Sequence, residues 1–199
     1  MRVYSYKITR DFGFAPNPFH GVLTLATCKP GIRRSAQPGD IIVGCGSAGN
    51  NQVGKAIFVS RVSGKLSFDQ YWSDERFLAK RPSFGGSLSR AYGDNIYHHD
   101  ENGSWVQERS HHSFQDGSLN KSNLDRDTGS DNVLWCSEFV YYGQSAMRIP
   151  QSLRNLQGDD LYPSVRDYRS NYSPKMIAAV EAWFSTLPRN RQGWPEAWH

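Results

Sequence analysis

The stretch from Gly13 to Gly21 most constrains how this chain folds, because it contains two prolines, Pro16 and Pro18, within three residues. Proline fixes its own φ and has no amide hydrogen, so neither a helix interior nor a central strand accepts this segment. The same stretch contains Phe14 and Phe19, whose rings are costly to leave in water. We therefore predict a rigid, aromatic loop that forms one wall of a pocket.

A short apolar strand follows this loop and leads to Cys28 and Lys29, and the turn Pro30-Gly31 then precedes Arg33 and Arg34. Fixed cations close to an aromatic loop favour an anion site, so we predict that Lys29, Arg33 and Arg34 bind phosphate. Cys28 has two interpretations. The neighbouring lysine favours the thiolate of a nucleophile, whereas a buried thiol at a strand end is the commoner structural role.

Length and cysteine usage limit the class of protein. A chain of 199 residues suffices for one full core, so we predict a single domain over 1–199, with a core in 1–143 and an extension in 144–199. Three widely spaced cysteines form no C-x-x-C pair, which argues against a disulfide framework and a structural zinc site. The N-terminal residues lack a long apolar run, so we expect a cytoplasmic protein without a membrane partner.

Charge is distributed unevenly along the chain. Residues 1–90 contain 13 Lys and Arg against 5 Asp and Glu, a net charge of +8, whereas residues 91–199 contain 10 against 14, a net charge of −4. Sixteen of the 23 basic residues are Arg, whose planar group suits phosphate or carboxylate. A nucleotide or nucleic acid is the partner that this pattern favours, and a solvated basic face is the alternative.

Hydrophobic patterning predicts an α+β fold. Apolar residues alternate or cluster with strand periodicity in 3–9, 21–28, 40–47, 54–62 and 133–142, and the third and fourth of these strands are predicted to form a hairpin. We expect a curved, mostly antiparallel sheet or small β-barrel with peripheral helices and a C-terminal helix. Residues 83–131 contain many glycines and only brief strand-like pieces, which is typical of functional loops.

Two helices have clear start signals. Ser67 and Gln70 have the spacing of a capping box, so a helix is predicted to begin there and to end before Pro82. Ser173 precedes Pro174, and apolar residues then recur every three or four positions up to Leu187. The sequence therefore predicts a C-terminal amphipathic helix.

The arrangement of turns, strands and a following helix around Gly39-Asp40 resembles that of the PUA-like small barrels, which include the EVE, ASCH and YTH modules. A further set of short motifs runs from the N-terminal strand to about Gly143: Gly13-Phe-Ala-Pro-Asn-Pro-Phe19, Thr24-Leu25-Ala26, Cys28-Lys29-Pro30, Ile32-Arg33-Arg34, Gly39-Asp40, Gly44-Cys-Gly-Ser47, Tyr71-Trp72, Gly93-Asp-Asn-Ile-Tyr97, Ser110-His111-His112 and Phe139-Val-Tyr141. With these motifs the chain resembles the second nucleotide-modification-associated domain family of bacteria and phages. The resemblance implies an α+β fold and a link with making or handling modified nucleobases, and it assigns no catalytic residues.

Residues 94–97 bring a carboxylate, an amide and a ring together in one short segment. Asn95 can read the edge of a base and Tyr97 can stack on it, while Asp94 can act as a base. A turn capped by its own side chains explains the segment equally well. We predict that Asn17, Phe19, Trp72, Asn95 and Tyr97 bind a base, with ring packing in the core as the alternative for the aromatic residues.

Two histidine pairs, His98-His99 and His111-His112, follow this segment. Adjacent histidines point apart on a strand and no cluster has ligand spacing, so we predict neither a metal nor a cofactor. Proton transfer by His111 or His112 is the functional interpretation, and plain loop histidines are the alternative.

The function that these patterns favour is recognition of a modified base or nucleotide in a nucleic-acid modification or phage-related system. The alternative is an enzyme that acts on the base or the N-glycosidic bond, with Asp94, His111 and His112 as catalytic residues. A protein-binding module with an acidic interface is a third possibility, and it predicts no nucleotide affinity.

Overall fold

A computed structural model describes residues 1–164 and 167–198. The strands in these ranges are β1 Val3–Lys7, β2 Leu23–Leu25, β3 Ile41–Cys45, β4 Lys55–Arg61, β5 Gly64–Leu66, β6 Tyr97–His99, β7 Trp105–Gln107, β8 Val133–Cys136, β9 Glu138–Tyr141, β10 Met147–Arg148, β11 Tyr168–Arg169 and β12 Asn190–Arg191.

The α-helices are α1 Pro30–Ser35, α2 Phe68–Ser73, α3 Leu88–Ala91, α4 Lys121–Thr128 and α5 Pro174–Thr186. Short 3₁₀ helices occupy Ala48–Asn50, Glu75–Lys80, Gly143–Ser145, Gln151–Leu153 and Glu196–Trp198. The described helices and sheets confirm the predicted α+β class. Within the described ranges the sheets do not close into a barrel, and no helix has the length and apolar character needed to cross a bilayer.

The chain divides into two compact units. Unit 1 comprises Met1–Phe12, Ala36–Ser63 and the described residues of Cys136–His199, and unit 2 comprises Gly13–Ser35 and Gly64–Trp135. Each unit is built from separate stretches of sequence, so its core depends on contacts between residues far apart in the chain. The predicted assignment of the whole chain to one domain stays a prediction.

Unit 1 contains a sheet with the strand order β11-β1-β3-β4-β9-β12, and β10 also pairs with β4. β3 and β4 pair antiparallel, as the predicted hairpin requires, whereas β1 lies parallel to β3. Strand residues such as Val43 and Val59 share one buried core with Met176, Val180 and Phe184 of α5. Ser173 accepts a hydrogen bond from the Met176 amide at the start of α5, which confirms the predicted C-terminal helix and its cap.

Unit 2 contains the three-stranded sheet β2-β8-β5 and the hairpin β6-β7. The capping box of α2 is present, because Ser67 Oγ accepts from the Gln70 amide and the Gln70 side chain accepts from the Ser67 amide. The predicted strand over 21–28 is shorter, since only Leu23–Leu25 pair as β2. The predicted strand over 133–142 is two strands, which separate at Ser137 and join different sheets.

Candidate functional site

Every predicted site residue lies in unit 2. The elements that carry these residues differ: loop 13–21 carries Asn17 and Phe19, α1 carries Arg33 and Arg34, and the start of hairpin β6-β7 carries Tyr97. Most of these side chains are buried, so membership of one unit does not by itself make them a ligand site. Their individual contacts decide what each can do.

Cys28 lies between β2 and α1 in an unusual backbone conformation. Its φ is +57° and that of Lys29 is +39°, so two consecutive non-glycine residues adopt left-handed geometry. Such conformations cost roughly 1–3 kcal/mol each and cluster at functional sites. Pro30 then starts α1, because its fixed φ suits the first helical position. The thiol of Cys28 is therefore carried on a strained turn, and the residue is partly exposed.

His112 and Asp127 form a chain of contacts with this thiol. His112 Nε2 lies 3.9 Å from Cys28 Sγ, and His112 Nδ1 lies 2.7 Å from Asp127 Oδ2. Asp127 is fully buried and His112 nearly so. The carboxylate fixes the orientation of the imidazole, and the other ring nitrogen faces the sulfur. A thiol, an imidazole and a carboxylate in this order can perform nucleophilic catalysis.

The Asp127 carboxylate also accepts hydrogen bonds from three further donors. The Cys28 amide lies 2.9 Å from Oδ1, Arg126 Nε lies 3.2 Å from the same oxygen, and Tyr97 Oη lies 3.0 Å from Oδ2. Burial raises the pKa of Asp127, but the hydrogen bond from His112 and the positive charges of His112 and Arg126 hold it below its ordinary value. The carboxylate is therefore ionised and rigidly held at neutral pH.

His112 is protonated at neutral pH. Burial lowers its pKa, but the hydrogen bond to Asp127 and the contact with Cys28 outweigh this effect and raise the pKa to about 9. The imidazolium thus presents a proton on Nε2 to the sulfur.

Arg33 is fully buried and connects the Cys28 turn with the segment after α4. Its Nε donates to Cys28 O, its Nη1 donates to Ser130 O and Asn132 O, and its Nη2 donates to Asp127 O. In this structure the guanidinium is buried and bonded to four carbonyls, so it lies on no open surface, and its predicted phosphate-binding role stays a prediction. Burial lowers the pKa of Arg33 to about 10 despite the nearby Asp127, so it remains charged at neutral pH.

The other two predicted phosphate ligands lie on the same turn and helix. Arg34 is exposed, and its Nη2 donates to Gly129 O at 2.7 Å. Lys29 is partly exposed and directly follows Cys28. Arg126, which sequence reasoning did not select, adds a guanidinium whose side chain is 46% exposed and which contacts Asp127. A phosphate-binding role of Lys29 and Arg34 stays a prediction.

Asp94 and Asn95 are fully buried, so neither side chain lies on an open surface. Asp94 Oδ2 accepts from Thr24 Oγ1 at 2.7 Å and Oδ1 accepts from Tyr71 Oη at 2.8 Å. Asn95 Nδ2 donates to Tyr71 O at 2.9 Å. Burial raises the pKa of Asp94, and the Lys80 charge opposes this effect. In this conformation both side chains bond to protein groups in the interior of unit 2, and their predicted contact with substrate stays a prediction.

Asn17 and Phe19 hold the proline-rich loop in place. Asn17 Nδ2 donates to Tyr92 O at 2.9 Å, and its Oδ1 accepts from the buried Lys80 Nζ at 2.8 Å. Phe19 is only 5% exposed. The predicted rigid aromatic loop is present, but in this structure its Asn17 amide is engaged with protein atoms and cannot read a base edge.

Trp72 has a neighbour on each side of its ring. His98 stacks on it with ring centroids 4.1 Å apart, and the Arg81 guanidinium carbon lies 3.7 Å from the Trp72 centroid. Tyr97 is fully buried and packs against Phe68 at 5.4 Å. Packing against neighbouring side chains, the alternative given for these rings, therefore describes both of them better than the predicted binding of a base.

No group of three or more His, Cys, Asp or Glu residues suited to a metal ion occurs in the described part of the chain.

His111 is exposed and lies at the edge of the site, where its ring contacts Phe14 and Tyr92.

The sequence patterns indicated His112 and Cys28 as candidates, but they did not indicate Asp127. The signals for α4 were weak, because Leu124 is the only large apolar residue of the helix. Asn120, which caps α4 by accepting from the Asn123 amide, is the one local feature that points to a helix start there.

A family comparison agrees with the motifs noted in the sequence. Residues 1–199 match the model of a family described as nucleotide modification associated domain 2. The chain belongs to this family. The match confirms the resemblance and extends it to residues 144–199, where no motif was identified. Membership of the nucleotide modification associated domain 2 family gives the chain a role in nucleotide modification systems, while the resemblance to PUA-like barrels and the association with phages stay predictions.

Neither the curated proteins nor the solved structures contain a match to this member of the nucleotide modification associated domain 2 family.

Replacing Asp94 by Asn should lower the stability of the protein by about 2 kcal/mol, because the buried Lys80 ammonium loses a nearby negative charge and an amide N–H faces the hydroxyl donors of Thr24 or Tyr71. Thermal denaturation followed by circular dichroism measures this change. Thr24→Ser, which keeps the hydroxyl donor, is the matched control and should change stability by less than about 1 kcal/mol. An unchanged melting temperature in Asp94→Asn would contradict the structural role.

Proposed function

We propose that this protein is a thiol-dependent enzyme of nucleotide modification, in which Cys28 is the nucleophile, His112 the proton donor and acceptor, and Asp127 the carboxylate that orients His112. The observation that carries the proposal is the continuous contact from Cys28 Sγ through His112 to Asp127, with separations of 3.9 and 2.7 Å. The strained Cys28 turn and the four hydrogen bonds to Asp127 support it, because they fix the geometry before substrate binds.

The reaction class that suits this arrangement is acyl transfer at a carbonyl group carried by, or transferred to, a nucleotide. The Cys28 thiolate attacks the carbonyl carbon, a C–S bond forms and the carbonyl electron pair moves to oxygen. When the C=O bond re-forms, the bond to the leaving group breaks and that group takes the proton from His112 Nε2. The product is a thioester on Cys28 and a neutral His112.

Water or an amine then completes the cycle. His112 takes a proton from the incoming nucleophile, which attacks the thioester carbon, and the C–S bond breaks to return the Cys28 thiolate and the His112 imidazolium. Water as nucleophile gives hydrolysis, and an amino group gives transfer. Asp127 stays ionised throughout and stabilises the imidazolium.

This proposal favours the enzyme over the recognition module that the sequence patterns favoured. The observations behind this choice are that Tyr97 and Asn95 are fully buried in unit 2, that Trp72 is covered by His98 and Arg81, and that Cys28 is partly exposed. Cleavage of the N-glycosidic bond by Asp94 and His111 receives less support, because Asp94 is fully buried beneath Thr24 and Tyr71.

Incubation with p-nitrophenyl acetate should acetylate Cys28 at least 10-fold faster than the thiols of the same chain unfolded in urea, because the site activates the sulfur. Mass spectrometry of the peptides locates the acetyl group, and neutral hydroxylamine should remove it, as expected for a thioester. Cys45 and Cys136 are buried, and burial raises the pKa of the Cys45 thiol, so neither should react in the folded protein.

Cys28→Ala should lose this acetylation and Cys136→Ala should retain it. Acetylation of Cys28 no faster than in the unfolded chain would overturn the proposal, since the thiol would then be exposed without being activated.

A further inference from the structure

Two loops of unit 2 carry exposed rings, and one of these rings, His111, contacts the Phe14 ring that packs against His112. Residues 83–92 contribute Phe84 and Tyr92, and residues 108–120 contribute His111 and Phe114. Phe84 is 52% exposed and Phe114 54% exposed, His111 is also exposed, and Tyr92 is half-buried. We call these four residues the aromatic surface. Rings are costly to leave in water, so an exposed group of this kind in a folded protein marks a binding site.

A row of ring contacts connects the aromatic surface with the thiol. The Tyr92 and His111 centroids lie 5.2 Å apart, and the His111 and Phe14 centroids 5.4 Å apart. Phe14 in turn lies 4.6 Å from His112, whose Nε2 is 3.9 Å from Cys28 Sγ. A planar ligand stacked on His111 is therefore only a few ring widths from the sulfur.

The loops are ordered by their own contacts. The Arg109 guanidinium carbon lies 4.9 Å from the Phe84 ring centroid, which joins one loop to the other. The Ser83 amide donates to Arg90 O at 2.9 Å, and the Gly117 amide donates to Phe114 O at 2.9 Å. A surface that is already ordered loses little conformational entropy when it binds a ligand.

Arginines on both loops can donate to a phosphate next to a stacked ring, and the loops carry as many carboxylates as arginines. Arg90 and Arg109 supply two guanidinium groups. Of the two carboxylates in residues 108–120, Glu108 bonds to His98 Nε2 and Asp116 accepts from Ser118. Desolvation and the His112 charge lower the pKa of His111 to about 4, so its ring is neutral at physiological pH. Neutral rings interleaved with arginines are typical of surfaces that stack unpaired bases.

We infer that the aromatic surface binds an unpaired nucleobase, and that it thereby presents the group attached to that base or its nucleotide to Cys28. The first half of this inference stands on the rings and their contacts alone. The second half rests on the proposed function and names its substrate class. An unpaired base occurs in a free nucleotide and in a single strand, and both present the same stacking face.

Fluorescence anisotropy of a fluorescein-labelled single-stranded oligothymidine tests the inference with the full chain. Wild type should bind the oligonucleotide, and His111→Ala and Phe114→Ala should each weaken binding about 10-fold, because stacking on one ring is worth roughly 1–3 kcal/mol per base. His111→Phe should restore binding. Leu78→Ala, which removes another exposed apolar side chain of unit 2, should bind like wild type.

Three competitors separate the outcomes. An abasic oligonucleotide of the same length should compete at least 10-fold more weakly, and equal competition would overturn the inference because phosphates alone would explain binding. Thymidine monophosphate that competes as well as the oligonucleotide identifies a free nucleotide as the source of the base. A duplex that competes as well as the single strand, or no binding of any probe, would overturn the inference and favour a protein partner for this surface.

The same assay distinguishes this inference from the proposed function. Cys28→Ala should still bind the oligonucleotide if the rings form the base site. Binding by a protein whose Cys28 is not activated toward p-nitrophenyl acetate would leave the base site standing and overturn only the thiol chemistry. A Cys28 that is activated toward p-nitrophenyl acetate, in a protein whose oligonucleotide binding does not depend on these rings, would overturn the base site and leave the thiol chemistry standing.

Discussion

Replacing His112 by Ala should slow the alkylation of Cys28 by iodoacetamide several-fold at pH 6.5, because the sulfur loses the imidazole nitrogen that faces it. In the wild type His112 Nε2 lies 3.9 Å from Cys28 Sγ, and Asp127 holds the imidazole in place. The rate is measured by quenching samples at intervals and quantifying the alkylated Cys28 peptide by mass spectrometry.

The effect of replacing His112 on the alkylation rate should depend on pH. The pKa of His112 is raised from its ordinary value of 6.5 to about 9. The imidazolium is therefore fully formed at pH 6.5 and is lost as the pH rises through about 9. The ratio of wild-type to variant rates should therefore be largest in neutral and mildly acidic solution and approach one above about pH 10, where any ordinary thiol is ionised.

His98→Ala is the matched control for the loss of an imidazole from unit 2. His98 is held by Glu108 and stacks on Trp72, so this variant should alkylate like wild type. Asp127→Asn keeps the size of the side chain and should slow the reaction in the same direction as His112→Ala. Equal rates for wild type and both His112 and Asp127 variants at pH 6.5 would show that Cys28 reacts as an ordinary exposed thiol.

Local patterns predicted much of unit 1, because each of its main elements has its own signal. Strand alternation indicated β1, β3 and β4, and Ser173 with Pro174 indicated the start of α5. Strand 133–142 was predicted as one element because its apolar residues are continuous. The break at Ser137 depends on the pairing of β8 and β9 with different sheets, and pairing between distant strands leaves no periodic mark in the sequence.

The site was harder to predict because it depends on contacts across nearly 100 residues. The Cys28 amide bonds to Asp127, and His112 lies between them in the chain. His112 was selected for its chemistry, yet nothing local distinguished Asp127 from the neighbouring Asp125, which is exposed and pairs with Lys121. Arg33 and Arg34 likewise have the same local pattern, but one is buried and the other exposed.

Replacing Arg33 by Ala should destabilise the protein by about 3–5 kcal/mol, because two buried and two partly buried carbonyls lose their donor and the nearby Asp127 loses a compensating charge. For a chain of this length such a loss lowers the melting temperature by about 10 °C. Arg33→Lys should recover little of this stability, since one ammonium cannot donate along the directions of Nε, Nη1 and Nη2 together. Thermal denaturation at pH 7 measures all three proteins.

Arg34→Ala is the matched control, because the neighbouring arginine on α1 is exposed and bonds to a single carbonyl, Gly129 O. It should change the stability by less than about 1 kcal/mol. Arg33 also fixes Cys28 O and Asp127 O relative to each other, so any Arg33→Lys protein that remains folded should alkylate Cys28 more slowly than Arg34→Ala. Equal stabilities for Arg33→Ala and Arg34→Ala would contradict the structural role of the Arg33 hydrogen bonds.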